Sequence, residues 1–263
     1  MKGVFVTDQF ESSPVLTPDT PWSSPPKKLI LGHDEVHVWR AALNTKESRI
    51  QSLRRTLTAD ERARAERFHF QKDRDQFTVA RGVLRVILGR YLDVDPSRLR
   101  FSYSPYGKPS LERESGGGDL CFNLSHAGEM ALYAVTRGRE IGIDVEPIRT
   151  DFANEQIAER FFSPREVAAL RALSGNMQPQ AFFNCWTRKE AYIKARGEGL
   201  SLPLDQFDVS LVPGETAALL NTSGDPQEAF RWSLREVAPA AGYVAAVAVE
   251  GDDWQLKCWQ WPG

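Results

Sequence analysis

The sequence predicts an α+β protein whose order of elements permits two similar units in tandem, with a site near their junction. Three observations carry this. Helical and strand patterns come in blocks rather than in strict alternation. The blocks come twice, strand then helices then strands, once before about residue 140 and once after it. The second block opens on Gly142-Ile143-Asp144-Val145-Glu146. Side chains alternate across a strand, so Asp144 and Glu146 share one face while Ile143 and Val145 take the other. The apolar face can be buried; the acidic face needs a cation or a proton between its carboxylates.

Taken in order, the first 30 residues are rich in Pro and Ser and read as an extended arm, with Trp22 placed to pin it to the body. VHVWRAAL (36–43) alternates as a first strand. Thr58 and Glu61 form a capping box for a helix through ADERARAERF. A longer helix, about 74–91, carries the stripe Phe77, Ala80, Leu84, Ile87, Leu88 and Tyr91. Arg74, Arg81 and Arg85 share a flank of it, which suits phosphate contact or simple solvation. A strand from Phe101 ends in a turn at Gly107 and Pro109 that presents Lys108, and a glycine-rich loop follows. Strands are expected at 120–124, 130–136 and 140–146, with Ser125 and His126 in the loop after the first.

Helices are expected at 154–162, 164–173 and 178–195. Ser163-Pro164-Arg165-Glu166 starts the middle one, and Gly197 ends the last. Strands return at 207–211, 231–237, 243–249 and 254–261. The division is therefore an arm (1–30), a first α+β unit (31–140) and a second (141–263). In WTRKEAYIK (186–194), Glu190 and Lys194 lie one turn apart on one helix face. Each stretch alone has an ordinary reading, a solvated acidic strand face or a surface ion pair. Together, three carboxylates and a lysine suit Mg²⁺-assisted phosphoryl chemistry.

Composition narrows the classes. The chain has 263 residues, 41% hydrophobic and 26% charged, with net charge −2. That is ordinary globular composition, and it excludes a disordered tail or a generally basic nucleic-acid binder. Basic residues outnumber acids across 46–100, where an anion site is plausible. Cys121, Cys185 and Cys258 are too scattered for a zinc site or a disulfide framework, which points to a reducing compartment. The start MKGVFVTDQFE is not signal-peptide-like, and no apolar run approaches ~18 residues. A cytoplasmic protein with no membrane partner is expected.

Tyr106-Gly-Lys-Pro109, Phe122-Asn-Leu-Ser-His126, Gly142-Ile-Asp-Val-Glu146 and Trp186-Thr-Arg-Lys-Glu-Ala-Tyr-Ile-Lys194, in this order, resemble the Sfp-type 4′-phosphopantetheinyl transferases. Gly197 to Leu204 fits as well, and the resemblance spans roughly 36–250. It implies a pseudodimer of two α+β subdomains with the active site at their junction. It implies transfer of the phosphopantetheine arm of coenzyme A to a serine of an apo acyl, peptidyl or polyketide carrier protein by a monomer. Mg²⁺ would be held by Asp144, Glu146 and Glu190. Glu190, Lys194 and Asp144 would be the catalytic set. Lys108, Ser125, His126 and Lys189 match coenzyme A contacts, and Arg81 and Arg85 lie in a region that supplies more. Carrier docking is expected along 148–172, with Arg149, Arg160, Phe161 and Arg165 as candidates and at least one of Phe161 and Phe162 in the core. Glu61 departs from the family, which often has a basic residue there; Arg64, Lys27 and Lys28 are candidates to replace that contact. Two other classes use the same residues: a Mg²⁺-dependent hydrolase of coenzyme A or nucleotides, and a non-enzymatic coenzyme A or carrier-binding module.

Overall fold

The computed structural model describes residues 22–149, 155–225 and 227–262. Most of the arm, and residues 150–154 after the acidic strand, lie outside them. Strand β1 (Glu35–Ala42) leads to helices α1 (Glu47–Arg54), α2 (Ala59–Glu66) and α3 (Gln71–Leu92). A small hairpin, β2 (Phe101–Tyr103) and β3 (Pro109–Leu111), precedes β4 (Leu120–Ala127) and β5 (Met130–Arg137). The order then repeats. Strand β6 (Ile141–Pro147) leads to α4 (Glu155–Phe161), α5 (Pro164–Ala172) and α6 (Gln178–Arg196). A second small pair, β7 (Phe207–Val209) and β8 (Leu219–Thr222), precedes β9 (Trp232–Val237) and β10 (Tyr243–Glu250). The chain closes on β11 (Gln255–Gln260).

The two sheets have one topology. The first runs β11-β1-β5-β4 and the second β6-β10-β9, so β1-β5-β4 matches β6-β10-β9 strand for strand. Each sheet carries helices on one face over its own apolar core, and the opposite faces meet in a third core that includes Val36, Val38, Ile143, Val145 and Val247. Ala42 stands opposite Met130 as Pro147 stands opposite Tyr243. Aligning these pairs places Trp39 where Asp144 stands and Ala41 where Glu146 stands.

The match extends to the helices. Both capping boxes form, Thr58 with Glu61 and Ser163 with Glu166. α3 and α6 both end in a left-handed residue, Asp93 and Gly197. Counting back from those ends equates Arg85 with Lys189 and Arg90 with Lys194. The pattern is a repeat of fold that the side chains have largely erased.

Three expectations need correction. Ser125 and His126 belong to β4 itself, and the turn begins at Gly128, whose φ of 59° suits glycine. α1 and β8 have no counterpart among the expected elements. The last strand does not stay in the second unit: β11 pairs in parallel with β1, Val38 opposite Cys258. The arm is pinned where it enters the described region. The Trp22 indole donates to Ala238 O at 2.9 Å and lies under the Arg40 guanidinium. Cys185 is buried, Cys121 and Cys258 are partly so, and all three are free.

Under β1, a buried polar chain fixes a histidine tautomer. Trp39 Nε1 donates to Tyr91 OH at 2.9 Å; the Glu35 carboxylate only accepts, so the neutral His37 ring donates through Nε2 and its Nδ1 accepts from that hydroxyl at 2.7 Å. His37 Nε2 then carries the proton, facing Glu35 at 3.1 Å. Burial lowers the His37 pKa from 6.5 to about 4, against the pull of Glu35. The unfolded chain therefore binds the extra proton first as pH falls. The stability that neutral His37 contributes is whole above about pH 6.5 and is lost on the way down to about pH 4, at most about 3 kcal/mol. Urea unfolding across that window should show a shallower loss of stability with acid in His37→Gln than in the parent chain.

Candidate active site

The acidic face of β6 is covered by α6. The two backbones approach so closely that a Cβ on Gly142 would sit 2.1 Å from Ala191 O and 2.3 Å from Ala195 N. Only glycine leaves that space. The approach brings the stripe Trp186, Glu190 and Lys194, spaced one turn apart, to the acids of β6. Lys194 Nζ donates to Asp144 Oδ1 at 2.6 Å and to Ser125 Oγ at 3.0 Å. Ser125 Oγ donates to the same Asp144 oxygen at 2.7 Å.

Ser125 reaches Asp144 because β4 lies beside β6 at the junction of the halves without a shared ladder. There the buried Asn123 takes the place of a strand partner, its Oδ1 accepting the Ile143 N–H at 3.0 Å. The other Asp144 oxygen, Oδ2, is buried with no hydrogen-bond partner. Burial and the charge of Asp144 push Glu146 up to about 7. The same two causes raise Glu190, with Lys194 opposing. A cation there would satisfy the orphaned carboxylate oxygen and relieve the two neighbouring acids. As the side chains stand, no group of three or more His, Cys, Asp or Glu among the described residues is gathered to hold a metal ion. The Lys194 ammonium supplies the positive charge at Asp144.

A cleft runs from this cluster. A cavity of about 310 Å³ is walled by Tyr106, Lys108, Asn123, Glu190 and Lys194. It shares Gly107, Pro109 and Leu124 with a larger one of about 520 Å³, walled by Arg64, Arg67, Phe77, Arg81, Tyr103 and His126. His126 projects into the larger cavity, with its pKa lowered by desolvation first and Lys194 second. Lys108 reaches back to Glu140 at 2.6 Å and to Ala195 O at 2.7 Å, near the C-terminal end of α6.

The remaining predicted residues divide. Arg81 lines the cleft, held by Glu61 at 2.5 Å and by Tyr103 OH at 2.8 Å. Arg85 does not reach it. Its side chain is 1% exposed, and it donates to Glu61 and to the carbonyls of Pro96 and Leu99. Lys189 does not reach it either. It is 1% exposed, pairs with Glu166 at 2.8 Å and donates to Leu204 O and Phe207 O. Their own helices turn both cations into the cores. Glu61, noted for lacking a basic side chain, is the acid that binds both arginines; burial raises its pKa, and Arg85 with Arg81 bring it below the usual value.

Of the docking candidates, Phe162 is core while Phe161 is half-buried, edge-on to Trp186 at 5.8 Å and under the Arg160 guanidinium. Arg165 is exposed, 3.7 Å from Asp208. Asn123 and Tyr106 lie within the family-like motifs, which assign them no role. Phe77 is legible only as part of the α3 stripe, and Tyr103 and Arg67 carry no signal, because the packing that brings them to the cleft is tertiary.

Two family models match in succession. Residues 41–137 match "4′-phosphopantetheinyl transferase, N-terminal" and residues 140–248 match "4′-phosphopantetheinyl transferase superfamily". They meet where β5 gives way to β6. The 4′-phosphopantetheinyl transferase HetI of Nostoc sp. is 45% identical over 91% of this chain and 98% of its own. A putative 4′-phosphopantetheinyl transferase of Synechocystis sp. is 36% identical over 68% of this chain and 70% of its own. The 4′-phosphopantetheinyl transferase Sfp of Bacillus subtilis is 36% identical over 59% and 66%. The cleft with its acid–lysine cluster marks a candidate catalytic site, and matches of this extent make the assignment specific. The chain belongs to the 4′-phosphopantetheinyl transferase superfamily.

Because the site rests on the contact at Gly142, Gly142→Ala should force α6 off β6. Overpacking of this kind costs about 1–3 kcal/mol or more. Circular dichroism melts should show lowered stability, and any folded fraction should have lost the Lys194–Asp144 contact and with it catalytic activity.

Proposed function

We propose that this chain transfers the 4′-phosphopantetheine arm of coenzyme A to a serine hydroxyl of apo carrier proteins. Family membership supports the reaction. The observation that carries the residue assignment is the Lys194–Asp144–Ser125 cluster, with Asp144 Oδ2 left bare beside Glu146 and Glu190. In the reaction the serine oxygen bonds to the phosphorus that bears pantetheine. The bond from that phosphorus to the bridging oxygen breaks, and adenosine 3′,5′-bisphosphate leaves.

Serine is a weak nucleophile, and its proton must be taken as it attacks. Glu190, raised by burial and by Asp144, is the proposed acceptor. Lys194 has three N–H donors, two of them given to Asp144 and Ser125. Lys194 lines the cavity, and the third would steady charge on the leaving phosphate. Ser125 orients Lys194. His126, Lys108 and Arg81 would hold the adenosine phosphates along the cleft. Asp144, Glu146 and Glu190 offer the oxygen donors that suit Mg²⁺ and would hold it once their side chains converge; when bound it would offset the pyrophosphate charge.

Both walls of the cleft come from one chain, which suits a monomer. Three free cysteines suit a reducing, cytoplasmic setting. Arg160 and Phe161 on α4, with Phe161 edge-on to Trp186, give a basic and apolar rim, and the exposed Arg165 stands at the start of α5. Carrier proteins are usually acidic about their serine, so this rim suits their docking.

Mass spectrometry of an apo carrier incubated with the chain, coenzyme A and Mg²⁺ tests the activity. One phosphopantetheine should be gained, and the gain abolished by EDTA and by Asp144→Ala. Coenzyme A consumed without carrier would instead mark a hydrolase. Glu190→Gln should lose more than the ~10²–10⁴-fold usual for a general base, since cation binding goes with it. Arg165→Glu should raise the carrier KM severalfold and leave the coenzyme A KM unchanged in steady-state kinetics.

A further inference from the structure

Lys189 is adjacent to Glu190 in sequence, inside the motif that supplies the site, yet it points away from the cleft. Its ammonium makes three contacts, all within the second half: Glu166 at 2.8 Å, Leu204 O at 2.7 Å and Phe207 O. The residue is 1% exposed and Glu166 is 3% exposed. Three partners use all three ammonium donors, so none remains for a phosphate.

Glu166 is itself fixed. It is the third residue of α5, and one oxygen closes the capping box on the Ser163 N–H at 2.8 Å. The other accepts the Val209 N–H of β7 at 2.7 Å. One carboxylate thus ties the start of α5, the edge of β7 and the middle of α6 together.

The first half holds the same device. Glu61, the third residue of α2, closes the capping box with Thr58 and receives Arg85 from the equivalent position of α3. Arg85 also ends on two carbonyls, Pro96 O and Leu99 O, in the loop after its helix. A feature present in both halves, only one of which carries the acids, belongs to the scaffold rather than to a ligand.

We infer that Lys189 is a positioning residue: clamped by Glu166, it sets the rotation of α6 so that Glu190 and Lys194 face Asp144. The inference rests on the transferase reading above. The lever is geometric. Side-chain tips lie about 5–6 Å from a helix axis, so a turn of about 20° moves a carboxylate by about 2 Å. Misplacing a reacting group by about 1 Å can cost ~10²-fold in rate. The clamp stands one residue from Glu190 and fixes that angle directly, while the contact at Gly142 fixes the distance between α6 and β6.

The test compares Lys189→Met, Lys189→Arg and Glu166→Gln with the parent chain, using coenzyme A titration calorimetry without carrier and transfer kinetics with an apo carrier. Transfer by the parent chain establishes the reading on which the inference rests; its absence overturns that reading and not the inference alone. Given transfer, Lys189→Met and Glu166→Gln should lower kcat about tenfold or more while the coenzyme A Kd stays within about twofold. Lys189→Arg, which installs the residue the first half uses, should recover most of kcat. Should Lys189→Met fail to fold, Glu166→Gln alone still decides, since no reading places Glu166 at coenzyme A. A rise of about tenfold or more in the Kd of Lys189→Met or Lys189→Arg with kcat kept at saturation would make Lys189 a coenzyme A ligand and overturn the inference. Unchanged kcat in folded Lys189→Met or in Glu166→Gln would overturn it as well.

Discussion

The site depends on one contact, the backbone of α6 laid against Gly142 of β6. With no side chain at that position, Ala191 O and Ala195 N come within reach of a strand that would otherwise be held off by a Cβ. Helices usually pack on sheets through side chains, at distances that would leave Asp144 and Lys194 separated by water. Here the helix is close enough for a 2.6 Å ion pair across the gap. That pair is only partly enclosed on the lysine side and almost fully on the aspartate side, so the acid is desolvated while the cation still looks into the cleft. The unpaired Asp144 Oδ2 and the raised pKa values of Glu146 and Glu190 follow from the same desolvation.

The duplicated scaffold explains why the chemistry is single. Both halves have a strand, a long helix over it and a capping-box glutamate that locks the helix with a buried cation. Where the second half has Asp144 and Lys194, the first has Trp39 and Arg90, and they too are in contact, guanidinium over indole at 5.5 Å. One half developed the contact as an ion pair at an open seam, the other as an aromatic core. Trp39 is packed among Tyr91, Trp259 and Trp261, and no acid lies at Ala41.

β11 completes the asymmetry. It pairs along the edge of β1 that corresponds to the edge of β6 at which β4 lies. At β6 that edge has no ladder, and Asn123 and Ser125 cross the gap as side chains. At β1 the edge is filled by backbone hydrogen bonds, and the seam that could have formed a second cleft is closed.

The sequence by itself determined which strand face carries the acids and which helix stripe carries Glu190 and Lys194. Alternation in GIDVE assigned the faces of β6, one-turn spacing put Glu190 and Lys194 on one stripe of α6, and both capping boxes were legible because they are local patterns closed within a few residues. It did not determine where each cation goes. Lys189 and Arg85 carry the right charge in the right region, and both are turned into a core, because a helix position one residue on lies about 100° around the axis. Only tertiary packing decides which flank meets solvent. The same holds for Glu61, whose partners are some twenty residues away, for Asn123, whose role exists only because β4 comes to rest beside β6, and for β11, whose strand pattern says nothing of the sheet it joins. Local periodicity records what a residue can face; the long-range approach of β4, β6 and α6 decides what it does face.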